Sequence, residues 1–230
     1  MPRIKSNLAD NIFNTIVERI NKYTYTAGDV ISEVALAEEF NISRTPVREA
    51  ILKLIDAGLL TRNKTKIVVK PLKIADIKEV LDARLSCEVM SIHTVFERGG
   101  FTKEEIDHLT NFHNGDTDCL SNNHLDRLFE LDTEFHDAII SCSHNSRIID
   151  FMNKLNLELD RFRRITMLTP TRQSEAVEEH KKIIDAINAN DKDEIINTIN
   201  EHVKHSKENY ESILNNDTGM WIRMINTLKS

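Results

Sequence analysis

The stretch Ser43-Arg44-Thr45-Pro46-Val47-Arg48-Glu49-Ala50, continued by Ile51-Leu52-Lys53-Leu54-Ile55 and closed by Gly58, decides the fold of the first third of the chain. Val47, Ala50, Ile51, Leu54 and Ile55 fall at i, i+3, i+4, i+7 and i+8, one apolar face of an amphipathic helix. Pro46 is tolerated in a first helical turn, where its missing N–H has no intrahelical partner. Gly58 stands where a helix end takes a left-handed residue. Arg44 and Arg48, four apart, share a side away from the apolar stripe, with Thr45 next to them.

Outward from this helix the pattern is that of a small DNA reader. Leu8, Ile12, Ile16 and Ile20, with Phe13 and Val17 beside them, predict a first helix. Ala27-Gly28-Asp29 breaks it, and Ser32 can cap a short second helix with Val34, Leu36, Ala37 and Phe40. Asn41-Ile42 makes the corner before the third helix. After Gly58 the period shortens: Leu59 to Arg62 and Ile67 to Val69 predict two short strands around a polar turn, Asn63 to Lys66. Three helices followed by a β-hairpin is the winged-helix order, and Pro71 marks its end. In such a domain, residues near the start of the recognition helix meet base edges in the major groove. Arginine takes guanine O6 and N7 bidentately, Ser or Thr bonds a base or phosphate, and the backbone N–H groups at the helix start favour a phosphate. An ordinary amphipathic helix with solvated arginines has the same pattern.

Charge follows this division. The chain has 230 residues and a formal charge of −7, but residues 1–73 hold 12 Lys+Arg against 8 Asp+Glu, while the remainder holds 18 against 29. A basic first third on an acidic remainder fits a DNA reader attached to something that is not one. No apolar run reaches the length of a membrane span, and no signal-peptide core follows Met1 to Ser6, so a cytoplasmic protein is expected. Cys87, Cys119 and Cys142 are widely spaced and form no CxxC pair, which fits small apolar filler in a reducing compartment.

From residue 75 onward only helices are predicted. One runs from about Asp76 to Arg98, stopped by Gly99-Gly100; Thr102 with Glu105 is a capping box opening the next. Asn114 to Asn123 is expected to be a polar loop. Three or four longer helices follow, centred near Phe129, Leu155, Ile184 and Ile199, with breaks at Pro170 and Asn190-Asp191; Met220 to Leu228 is a further short candidate. Asp132 and His136 share a helix face with Leu125, Leu128, Phe129 and Ile139, which makes it the buried face. Val177, His180, Ile184 and Ile187 form one stripe, and Ile195, Ile199, His202 and Ser206 another. Three histidines and a carboxylate thus point inward from three helices. Helix bundles build metal sites this way, and one Asp with three imidazoles suits Zn²⁺, Ni²⁺, Mn²⁺ or Fe²⁺. A single inward histidine is more often a hydrogen-bonded core residue, but three of them with an Asp on apolar stripes weaken that reading. The other histidines lack the pattern and read as surface or loop residues.

The run Leu36-Ala37-Glu38, then Ser43 to Ala50, then Leu54 and Gly58-Leu59, resembles the winged-helix signature of the GntR superfamily of bacterial regulators. The resemblance implies a dimer on a short palindrome, with DNA contacts from Ser43, Arg44, Thr45 and Arg48. Two positions depart from it. Val34 stands where several relatives have an arginine, and the wing lacks the usual glycine, so Asn63 is expected to take the left-handed turn while Lys64 reaches phosphate. Asp132-Xaa-Xaa-Phe135-His136, Asn145, Glu179-His180 and His202 resemble the FCD-type effector domain of the FadR subfamily. That resemblance implies a metal held by Asp132, His136, His180 and His202, and a small carboxylate effector met by Arg84 and Asn145. From the residues alone, Arg84 beside Leu81 and Leu85 is expected to be half-buried, where it either grips a carboxylate or pairs with Glu88 or Asp132.

The expectation is therefore a mainly α protein: residues 1–72 a winged helix-turn-helix, 73–216 an all-helical antiparallel bundle that binds metal and effector and dimerises, and 217–230 a tail. The function expected is a ligand-responsive transcription regulator, acting as a repressor. Two rival readings stay open on the residues: a regulator with no metal, and a metal-dependent enzyme fused to a DNA reader, in which open coordination positions activate water.

Overall fold

The computed structural model describes residues 8–71, 73–122, 124–166 and 169–215. They fall into two compact units that divide between Lys73 and Ile74. The expected helix at Met220 to Leu228 and the tail 217–230 lie outside the described residues, as does the side chain of Leu125.

In the first unit, α1 (Leu8–Asn21), α2 (Glu33–Glu39) and α3 (Arg44–Asp56) precede the strands β2 (Leu60–Asn63) and β3 (Lys66–Val69). Ile12, Ile16 and Ile20 of α1 are buried, while Leu8, at the open end of that helix, is exposed. Val47, Ala50, Ile51 and Leu54 bury the inner face of α3. Gly58 ends the helix at φ +73, its N–H on Ile55 O and the Leu59 N–H on Leu54 O, so the last carbonyls are satisfied in a left-handed cap. The Ser32 side chain caps α2 through the Ala35 N–H.

Two features differ from the sequence reading. A strand β1 (Val30–Ile31) pairs antiparallel with β3, giving the order β1-β3-β2. Two residues are too few to carry an alternating pattern, so only the pairing reveals it. In the wing, Asn63 is the last strand residue and pairs with Lys66; the left-handed position is Lys64, at φ +55. A two-residue hairpin loop leaves Lys64 and Thr65 to make the whole reversal.

The second unit is helical throughout: α4 (Ile74–Glu97), α5 (Lys103–Ser121), α6 (Leu125–Ser141), α7 (Ser146–Thr166), α8 (Pro170–Asn188) and α9 (Lys192–Asn215). The Thr102–Glu105 capping box is present, and Pro170 opens α8. Helix α4 packs on α6, α7 and α9, α5 on α6 and α8, and α8 on α9. Ile92, Leu109, Phe135, Ile139, Ile184, Ile187, Ile195 and Ile199 form an apolar cluster in its core.

The expected loop over Asn114 to Asn123 is instead the last two turns of α5 as far as Ser121, with Asn122 as the C-cap; Asn123 lies outside the described residues. Asn114, Gly115, Asp116 and Asp118 are weak helix formers, but packing overrides propensity here. Leu131 of α6 lies against Gly115 so closely that an added Cβ would stand 3.0 Å from its Cδ1. Asp116 and Cys119 are buried on the stripe that begins at Leu109. No helix among the described residues is long and apolar enough to cross a membrane. The three cysteines are free thiols, all buried.

Candidate functional site

Two groups of side chains stand apart from the packing. The first lies on α3. Ser43 is its N-cap yet makes no side-chain bond to the helix, and Arg44, Thr45 and Arg48 are exposed. Neither a side-chain cap nor the buried stripe engages this end, which leaves its first N–H groups to an outside acceptor. Arg48 Nε donates to Glu33 Oε2 at 2.7 Å, so one carboxylate on α2 steers it. Lys64 is exposed at the hairpin tip.

The second group is buried. Asp132 and His136 come from α6, His180 from α8 and His202 from α9. One donor atom from each lies within 4.8 Å of the other three. The three imidazoles pack on one another with centroids 4.9–5.2 Å apart, and Phe135 closes one side at 4.4 Å from His180.

Each imidazole has Nδ1 against a carboxylate from outside the group. His136 Nδ1 lies 2.6 Å from Glu88 Oε1, His180 Nδ1 lies 2.9 Å from Asp116 Oδ2, and His202 Nδ1 lies 2.7 Å from Glu179 Oε2. A carboxylate accepts only, so Nδ1 of each ring carries a proton and donates, and in a neutral ring Nε2 is then the lone-pair nitrogen. This is the supporting shell that metal-binding histidines carry. His180 Nε2 is buried, has no hydrogen-bond partner among the described residues and stands 3.4 Å from Asp132 Oδ1.

The electrostatics divide the three rings. Burial, with the nearby Arg84 charge, pushes His136 well below the usual imidazole range. Burial also pushes His202 down to about 4, against the pull of Glu179. Burial opposes a charge on His180 too, but Asp116 and Asp132 together outweigh it and raise it to about 9. Asp132 stays ionised although burial opposes this, held by His180, His136 and Arg163. The centre is therefore two neutral imidazoles, one protonated imidazole and a carboxylate. Such a donor set is of the kind that holds a borderline divalent cation, which would take the place of the His180 proton.

Around it, Arg84 is fully buried rather than half-buried, 2% exposed. Its Nε donates to Glu88 Oε1 at 3.1 Å, and its Nη2 lies 2.7 Å from His136 Nδ1 and 2.6 Å from Nε2. Burial on α4 between α6 and α9, deeper than its neighbours Leu81 and Leu85 imply, accounts for the difference. Asn145 is elsewhere in role: exposed before α7, its Oδ1 accepts from the N–H groups of Arg147 and Ile148 and caps that helix. Asn156 is buried, and its amide donates to Asp137 at 2.7 Å.

A profile of the FCD domain matches residues 79–205, and one of bacterial regulatory proteins of the gntR family matches residues 8–67. The chain belongs to the FCD-domain regulators of the GntR family. This GntR regulator is 25% identical over 212 residues to the HTH-type transcriptional regulator YdhC of Bacillus subtilis, covering 88% of this chain and 90% of that one. It is 25% identical over 205 residues to the gluconate operon transcriptional repressor of Bacillus licheniformis (85% and 79% covered), and 24% identical over 191 residues to the repressor RspR of Escherichia coli (81% of each). In fold it is similar to E. coli McbR/YncC, with a TM-score of 0.73 at 18% identity over 90% of this chain and 98% of that one. A GntR transcriptional regulator from Rhodococcus sp. RHA1 gives 0.74 at 16% identity over 89% and 97%. As a GntR regulator the chain is a DNA-binding transcription factor and not an enzyme, which removes the metalloenzyme reading.

In this GntR regulator the four inward groups expected from the sequence lie together, but the carboxylates that support them were not legible as such. Asp116 falls in a stretch of weak helix formers, but Leu109, Phe112, Asp116 and Cys119 at i, i+3, i+7 and i+10 put it on the inner stripe of a longer helix. Glu88 entered only as a partner for Arg84, and Glu179 only as a neighbour of His180. His205, read as a surface residue, is exposed but donates from Nδ1 to Glu179 Oε1 at 2.8 Å.

Proposed function

We propose that this regulator is a repressor whose helical unit holds a divalent cation and a small organic acid, and that the acid alters how tightly a homodimer holds a palindromic operator. The division of labour is residues 1–72 for DNA and 73–216 for cation, acid and dimerisation. Arg44, Thr45 and Arg48 read bases, Ser43 and Lys64 meet phosphate, and Asp132, His136, His180 and His202 hold Zn²⁺, Ni²⁺, Mn²⁺ or Fe²⁺. The observation that carries this is the three Nδ1–carboxylate pairs around Asp132, His136, His180 and His202, whose ligand atoms lie within 4.8 Å of one another. A core histidine needs one partner, not a partner that orients its second nitrogen into a cluster of like groups. The repressor names of the relatives from B. licheniformis and E. coli support the direction of control. Dimerisation follows from the way helix-turn-helix proteins read two half-sites, and an operator-binding protein works in the cytoplasm.

When bound, the cation supplies a Lewis-acidic point beside Arg84 to which an acid's oxygen can bind. Arg84 is the residue that couples the two ligands. Its Nη2 lies against the His136 ring, within 2.7 Å of both ring nitrogens, and its Nε donates to Glu88. An incoming carboxylate that takes Arg84 frees His136 Nε2, so acid and cation favour one another. For DNA affinity to change, the acid must bind one arrangement of the protein better than the other. Asn145, expected beside the acid, is instead offered as the cap that fixes the start of α7.

The test is metal analysis of protein purified without a histidine tag, before and after chelation, followed by binding to operator selected from random duplexes, with and without candidate acids. Stoichiometric divalent metal, and an acid that shifts operator affinity only in the metal-loaded protein, support the reading. Protein that holds no metal but still responds to acid supports a metal-free regulator instead.

A further inference from the structure

Arg172 is the third residue of α8, and it is 4% exposed. Neither fact helps the helix. A cation near a helix N-terminus opposes the helix dipole, and a buried guanidinium needs compensating partners to offset its lost hydration. Helix formation alone does not call for an arginine here, so the reason must lie in its contacts.

Those contacts lead to the buried centre. Arg172 Nη2 donates to Glu179 Oε2 at 2.8 Å and to Ser206 Oγ of α9 at 3.1 Å. The same Glu179 oxygen accepts from His202 Nδ1 at 2.7 Å, and Glu179 Oε1 accepts from His205 Nδ1 at 2.8 Å. Glu179 thus receives three donors, two of them from α9, while its neighbour in sequence is His180. One carboxylate of α8 holds the ring of His202, and one guanidinium holds that carboxylate.

We infer that Arg172 is a positioning residue for His202, acting through Glu179, and that its bond to Ser206 latches α8 to α9 so that the donors of the two helices keep their spacing. Glu179 serves His202 as an acceptor, and the Arg172 and His205 donors fix where its two oxygens lie. The arrangement matches Arg84–Glu88–His136 across the centre, with one difference. Arg84 also reaches the ring itself, whereas Arg172 reaches Glu179 and Ser206. One arginine is placed to leave with a ligand and the other to stay. This inference rests on the cation reading above.

The experiment uses the full-length, tag-free protein. Zn²⁺ affinity is measured by competition with a chromophoric chelator, and the Co²⁺ visible spectrum reports ligand geometry. Arg172→Met is expected to lower Zn²⁺ affinity ten- to a hundredfold and to change the Co²⁺ spectrum, with Arg172→Lys partly restoring both. Arg98→Met, which breaks an arginine–carboxylate pair with Glu105 away from the centre, serves as the control and is expected to change neither. If Arg172→Met does not fold, the double variant Arg172→Met/Glu179→Gln removes both charges and is expected to show the same loss. Wild-type affinity and spectrum in a folded Arg172→Met or in the double variant overturn the inference while leaving the cation site standing. A wild-type protein that binds neither Zn²⁺ nor Co²⁺ overturns the cation reading and this inference with it.

Discussion

Asp116 and His180 lie 64 positions apart, on α5 and α8, and meet in a buried hydrogen bond of 2.9 Å from Nδ1 to Oδ2, with both side chains 1% exposed. Asp116 Oδ1 has no hydrogen-bond partner among the described residues. Burial raises the Asp116 carboxyl despite His180. A lone buried carboxylate is costly to keep, and its use here is to orient one imidazole. Asp116→Asn keeps an acceptor of the same shape and removes the charge, so Zn²⁺ affinity is expected to fall about tenfold, and Asp116→Leu about a hundredfold. Chelator competition measures both. An unchanged affinity in folded Asp116→Leu means the pair is packing alone.

Removal of a donor gives a sharper contrast. His180→Ala and His202→Ala are expected to lower bound metal and to abolish the rise in melting temperature that Zn²⁺ or Ni²⁺ gives the wild type by mass action. A core histidine behaves otherwise: its loss destabilises the protein equally with and without metal. Thermal melts of the three proteins in each condition decide it, and a wild type whose melting temperature ignores metal rejects the site.

The proton count at the centre is also measurable. His180, raised to about 9, is protonated at pH 7, while His202, lowered to about 4, and His136, lowered by burial, are neutral. A cation needs all three lone pairs, so its entry at pH 7 should release about one proton. Apparent affinity should rise about tenfold per pH unit from 7 toward 9, then level off once His180 titrates without it. Calorimetry in buffers of different ionisation enthalpy reads the count directly. Zero protons released at pH 7, or affinity flat between pH 7 and 9, contradicts a protonated His180.

On the DNA side, Arg48→Ala should cost about 1–3 kcal/mol per half-site on the selected operator and little on random duplex. Lys64→Ala should weaken binding to all sequences and reduce the salt slope by about one unit. Glu33 bears on the first result: it holds Arg48 by Nε, so Glu33→Gln should reduce discrimination less than Arg48→Ala does. Salt titrations on specific and random duplexes separate the two effects. If Arg48→Ala retains full specificity, the base-reading surface lies elsewhere.

The sequence by itself determined the winged head and the helical remainder, because both are written in local period: the stripe Val47–Ile55, the glycine after it, the capping box at Thr102 and the inward stripes through His180 and His202. It also determined that Asp132, His136, His180 and His202 face inward, since a helix of fixed pitch assigns each position a face. What only the tertiary structure decided are pairings across helices. The strand Val30–Ile31 exists because β3 lies beside it, not because two residues carry a pattern. The last turns of α5 exist because Leu131 packs on Gly115 and His180 claims Asp116, against the preference of Asn, Gly and Asp. Glu88, Asp116 and Glu179 became supports of three imidazoles only when six helices set their register. Sequence gives a side chain its face, and packing gives it its partner.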